Sequence, residues 1–134
     1  MSKTKLKLLD EIFKQIKEEE KDIKYMLLVG YGGFPAHTCG VLAENDAIRY
    51  AAHGYGLAQV SNLFGKEHEK NYNAQEISLK LKNKKPTDGN EFKHVILEKI
   101  DDDFLIIIKY NSYNLQNITQ VNGYIENIRE ILIN

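Results

Sequence analysis

The sequence has no tryptophan, a single cysteine and almost no net charge, formally −1 over 134 residues. With Cys39 alone, no internal disulfide can form, and a reducing, cytoplasmic location is expected. The charge balance excludes the strong basic field that nucleic-acid binding relies on. Long apolar runs are also missing. Tyr25–Val29 and Phe104–Ile108 have five residues each, far short of the roughly 20 needed to cross a bilayer. The opening residues Met1-Ser2-Lys3-Thr4-Lys5 lead into a charged helical pattern rather than an apolar signal segment.

What is present suits one domain spanning residues 1–134. The length can bury a core without metals or cross-links, and 43% hydrophobic residues argue against disorder. Leu6, Leu9, Phe13 and Ile16 recur at helical spacing, with Ile12 widening the stripe, which predicts a helix over about 5–20. Tyr25-Met26-Leu27-Leu28-Val29 is apolar on both faces and predicts a central strand. Gly30-Tyr31-Gly32-Gly33 supplies turn chemistry. Residues 34–41 then return as a second strand, with Pro35 placing its start at a sheet edge or among the strand's first residues.

A second helix is expected from Asn45, a good N-cap, to Phe64, with Gly65 closing it. Its composition is unusual. Ala47, Ala51, Gly54 and Ala58 form a stripe of small residues, and Gly54 and Gly56 inside a helix each cost about 1 kcal/mol relative to alanine. Close approach of another backbone would offset that cost. The stripe fits either tight packing on the protein's own sheet or contact with a second helix.

Ile77, Leu79 and Leu81 alternate with Ser78, Lys80 and Lys82, a half-buried strand. Residues 83–90 read as a loop, 92–100 as a strand, Asp101-Asp102-Asp103 as a turn and 104–110 as the last strand. Phe104–Ile108 is apolar on both faces and belongs in the sheet centre. Leu115, Ile118, Val121, Ile125, Ile128 and Leu132 mark a final amphipathic helix. Two double-sided strands need cover on both faces, so the pattern predicts a three-layer α/β/α sandwich ordered α-β-β-α-β-β-β-α.

In this order the chain resembles the Roadblock / dynein light chain family. The likeness is carried by Leu6–Ile16 leading into Tyr25–Val29, the short hairpin Gly32-Gly33-Phe34-Pro35-Ala36, the small-residue helix Ala47–Phe64 and the Asn114-Leu115 entry into the last helix. The resemblance implies a five-stranded antiparallel sheet, with the second helix on one face and the first and third on the other. It implies a homodimer, or a heterodimer with a related Roadblock chain, in which second helices pair and third strands join edge to edge. The implied contacts are Ala47, Ala51, Gly54, Tyr55, Ala58 and Asn62 on the helix and Ile77, Leu79 and Leu81 on the strand. It further implies a non-catalytic adaptor that binds a small Ras-like GTPase, with no cofactor. Lys82, Lys84 and Lys85 are candidate partner contacts, and the lysine-rich loop around Lys84 and Lys85 suits an acidic partner such as actin. The loop at 83–90 is longer than the tight turn the family pattern leads one to expect. Profilin shares this layout, and an actin-monomer binder is the alternative. The absence of tryptophan and the long second helix favour Roadblock.

Chemical candidates have plainer readings. His37 and Cys39 lie two apart on one strand face, but no further ligands follow at metal-site spacing. Cys39 as a nucleophile would need a base and exposure. His53, His68 and His94 fall in three separate elements. Neither Gly30–Gly33 nor Gly54-Tyr55-Gly56 fits a phosphate-loop pattern. Lys80, Lys82, Lys84, Lys85 and Lys93 cluster around one strand, where charge also serves to block edge aggregation.

Overall fold

The computed structural model describes residues 1–85 and 91–133. The chain runs α1 (Lys3–Glu19), β1 (Ile23–Gly30), β2 (Phe34–Gly40), α2 (Glu44–His68), β3 (Glu76–Lys82), β4 (Phe92–Lys99), β5 (Leu105–Tyr110) and α3 (Leu115–Ile133). The expected order is present in full. The loop expected over residues 83–90 is described only as far as Lys85. Its remaining five residues, 86–90, lie outside the described residues.

All strand pairings are antiparallel, in the sheet order β2-β1-β5-β4-β3. The two strands that are apolar on both faces, β1 and β5, sit side by side near the centre. Met26, Leu28, Ile106 and Ile108 project into a core closed by α1 and α3, against Leu9, Phe13, Ile16, Val121 and Ile128. Their alternating neighbours Tyr25, Leu27, Val29 and Ile107 project the other way, towards Ala47 and Ala51 of α2. Burying both faces removes two full rows of aliphatic side chains from water, about 1.5–3 kcal/mol for each fully buried side chain.

Strand β2 is an edge strand, which suits Pro35. A register shift between Leu28 and Val29 brings Val29 opposite Pro35. Glycine is required at the end of β2. Gly40 has φ +92°, and a side chain there would run into the Lys24 carbonyl and the Tyr25 backbone.

Helix α2 differs from its expected limits at both ends. Its N-cap is Ala43, not Asn45, and no side chain caps it. Glu44 and Asp46 in the first turn supply the negative charge that a helix start favours. At the other end Gly65 stays helical. The helix continues through Lys66, a cation suited to its C-terminal dipole, and His68, until the Glu69 N–H donates to the Gly65 carbonyl at 2.9 Å.

Candidate functional site

Strand β3 ends the sheet beyond β4, and among the described residues no strand covers its outer edge. Helix α2 packs across β2, β1 and β5. The faces of β3 and β4 on that side therefore carry apolar side chains with no helix directly above them. The result is an apolar groove of about 200 Å³. Tyr50, His53 and Leu57 form its helical wall, and Leu79, Val95 and Leu97 its floor. A ring stack between Tyr25 and Tyr50, with centroids 5.9 Å apart, closes one end. Beyond the wall, α2 exposes Val60 at 63%, Leu63 at 66% and Phe64 at 60%. A run of large apolar side chains exposed along one helix beside an open strand edge is the candidate site of this chain.

Of the small-residue stripe, Gly54 lines that groove, and Ala47, Ala51 and Ala58 do not. Ala47, Ala51 and Gly54 are buried against the protein's own sheet. A Cβ at Gly54 would meet the Ile107 side chain, so the close approach that the glycine permits is to β5. Of the two fits the sequence leaves open, packing on the protein's own sheet is the one these three buried residues realise within a single chain. Tyr55 also turns elsewhere. It packs on the β1–β2 turn, where a Cβ at Gly33 would stand 3.1 Å from the Tyr55 Cβ. Ala58 packs against the core beneath α2. The Asn62 side-chain oxygen accepts the Ala74 N–H at 2.8 Å, a contact within the chain.

The strand candidates Ile77, Leu79 and Leu81 lie on β3. Ile77 and Leu79 are half-buried and Leu81 is 46% exposed, all on the groove side. Sequence reasoning missed Tyr50, His53 and Leu57. Their spacing of three and four, continued by Phe64, was the available signal, and it lay beside the small stripe that drew attention first. Of the candidate partner contacts, Lys82 ends β3 and pairs with Glu91 at 3.7 Å. Lys84 and Lys85 are exposed in the connection after it.

Most of the chemical candidates make contacts within the fold, and His53 lines the groove. His37 Nε2 lies 2.9 Å from Asp10 Oδ1, and its ring stands edge-on to Phe13 at 4.8 Å. Burial pushes the Cys39 thiol up to about 11, against smaller opposing effects of a backbone hydrogen bond at Met26 and the charge of Lys17. That direction is opposite to the activation a nucleophilic cysteine needs. His94 stacks on Tyr113 at 4.4 Å, and His68 packs on Phe64 at 4.6 Å. Asp101 Oδ1 accepts the N–H groups of Asp103 and Phe104, each at 2.8 Å, which fixes the acidic turn. Among the described residues, no three His, Cys, Asp or Glu side chains gather as a metal site. No helix among them is long and apolar enough to cross a membrane.

No protein-family model matches the chain, and no curated protein matches it by sequence. Solved structures do match. MglB of Myxococcus xanthus superposes with a TM-score of 0.75 at 9% identity, covering 98% of this chain and 92% of the other. A Roadblock/LC7 domain from Streptomyces avermitilis gives 0.72 at 12% identity, covering 93% and 98%. An MglB in a tetrameric arrangement gives 0.70 at 12% identity, covering 98% and 91%. Element order, sheet topology and these superpositions agree, and the chain has the Roadblock/LC7 fold.

Proposed function

We propose that the protein is a non-catalytic dimeric adaptor that binds and regulates a small Ras-like GTPase. The observation that carries the dimer is the open β3 edge flanked by the apolar groove under Tyr50 and Leu57. An unpaired strand edge and an uncovered apolar face are each costly to leave in water, and one partner relieves both. An MglB of the same fold stands in a tetrameric arrangement, which supports self-association as a use of such a surface.

The GTPase half rests on the fold likeness, since Roadblock proteins commonly bind and regulate such GTPases. The raised thiol of Cys39 and the engagement of His37 with Asp10 give no support to nucleophilic catalysis at that pair. Among the described residues no feature of the groove favours the actin-binding alternative. Two measurements test the proposal. Sedimentation equilibrium at tens of micromolar should return a mass twice 15.4 kDa. A strictly monomeric protein removes the dimer. Ras-like GTPases from the same genome, loaded with GDP or a non-hydrolysable GTP analogue, should include one that binds in a nucleotide-dependent way. If none binds in either state, the GTPase assignment fails.

A further inference from the structure

We infer that Lys24, Lys93 and Lys109, brought together from three adjacent strands on the α2 side of the sheet, form a binding site for a phosphoryl group. None of the three lines the apolar groove, and the site does not depend on the dimer.

Strand β5 places the first member. It is bonded on one side to β1 and on the other to β4, and Leu105, Ile106, Ile107, Ile108 and Tyr110 are buried. Lys109 interrupts that apolar run inside the sheet, where it is half-buried. A lysine withdrawn from water is ordinarily paired with a carboxylate. Register supplies the second member. Lys109 stands opposite Val95 of β4. Lys93, two residues before Val95, shares its face and lies diagonally across from Lys109. In the sequence Lys93 groups with Lys80 and Lys82, but it stands opposite Leu81, so alternation turns those two lysines to the other face.

A backbone irregularity supplies the third member. Ile23 of β1 stands opposite Tyr110 and Tyr25 opposite Lys109, with a register shift between them. Lys24 is the extra residue of this bulge and has no partner on β5. Its carbonyl accepts the Val41 N–H at 2.8 Å, which holds the bulge in place. A bulge re-aims a side chain at the expense of the ladder, and here the strand is bonded on both sides. It sets Lys24 next to Tyr25, the residue that faces Lys109. The Tyr50 ring, stacked on Tyr25, gives the site an aromatic wall from α2.

All three lysines are half-buried, and among the described residues none makes an ion pair with a carboxylate. Burial, and after it the charges of Lys24 and Lys93, holds the Lys109 ammonium below the ordinary lysine value. Cations gathered in this way without a counter-charge are unfavourable, and an anion among them reverses the balance. A phosphoryl group suits the set better than a carboxylate. It carries about −1.5 to −2 charges at neutral pH and three strong acceptor oxygens, and lysine binds phosphate as a point charge. A lone carboxylate would neutralise only one of the three.

Lysine side-chain NMR signals of isotope-labelled protein test the site. Inorganic phosphate, titrated against sodium chloride of matched ionic strength, should move the signals of Lys24, Lys93 and Lys109 together and saturably, and leave exposed Lys7 of α1 unmoved. Shifts that fail to saturate, or that chloride or acetate reproduces, overturn the proposal. Lys109→Met separates binding from structure. It should weaken phosphate binding at least about tenfold and raise the melting temperature, because it removes a half-buried charge that the fold leaves unpaired. A lower melting temperature would show that the ammonium is paired within the protein in solution, and refutes the site. A nucleoside triphosphate and a phosphoserine peptide then distinguish a free from a protein-borne phosphoryl group. Either one, bound more tightly by the wild type than by Lys109→Met, supports the site. Phosphate bound while both are rejected marks an adventitious ion only, and overturns it.

Discussion

The Asn62 side chain accepts the Ala74 N–H at 2.8 Å and so ties the C-terminal half of α2 to the segment that enters β3. The two elements that frame the groove are thereby held to each other. Asn62→Ala leaves the Ala74 N–H without that partner in a partly buried position. The expected loss is about 1–2 kcal/mol, read as a lower urea midpoint. Faster amide exchange should appear at Ala74 and along β3, and not in β1 or β5. Uniform acceleration across the sheet would mean that the contact does not act locally.

Leu57 is 37% exposed and lines the groove. Leu57→Arg should therefore cost the monomer little while placing a charge where the partner packs. We expect the dimer dissociation constant to rise at least about tenfold, equivalent to about 1.4 kcal/mol, with an unchanged far-ultraviolet spectrum. Sedimentation velocity over a concentration series measures it. Wild-type association would remove the groove from the interface.

The two glycines of α2 should respond in opposite ways. A Cβ at Gly56 meets nothing within 4 Å, whereas one at Gly54 meets Ile107. Gly56→Ala should stabilise the protein by about 0.5–1 kcal/mol through helix propensity alone. Gly54→Leu should destabilise it by about 1–3 kcal/mol by overfilling the contact with β5. Thermal melts of both variants decide the matter. A destabilising Gly56→Ala would show that a close contact forms at that face in solution.

Most of the fold was legible because hydrophobic period reports burial directly. Tyr25–Val29 and Leu105–Ile108 are apolar on both faces, and they occupy the covered centre of the sheet. The edge position of Pro35 followed from its missing donor. The candidate site was only half legible. Leu79 and Leu81 announced a half-exposed strand by alternation. The direction of the Ala47-Ala51-Gly54 stripe was not readable, because a small residue permits close approach without naming the neighbour. For Gly54 that neighbour is Ile107, more than fifty positions away in the chain, and nothing local to α2 encodes the meeting. The limits of α2 moved for a related reason. Asn45 is a good cap in isolation, but the acids Glu44 and Asp46 already suit a start two residues earlier, capped at Ala43.

Cys39 gives a prediction with a definite pH window. Its folded-state value of about 11 lies above the reference value of 9.0, chiefly through burial. The folded state thus favours the neutral thiol. The stability this contributes is fully present below pH 9 and is lost as pH rises from there towards 11. At pH 8 a shift of that size lowers the thiolate fraction about 100-fold. Iodoacetamide should therefore label the native protein about two orders of magnitude more slowly than the urea-unfolded chain. Across the same window Cys39→Ala should lose less stability than the wild type when pH is raised from 8 to 10. Native labelling as fast as unfolded labelling would show that the thiol is neither buried nor suppressed, and would reopen the question of chemistry at the His37–Cys39 face.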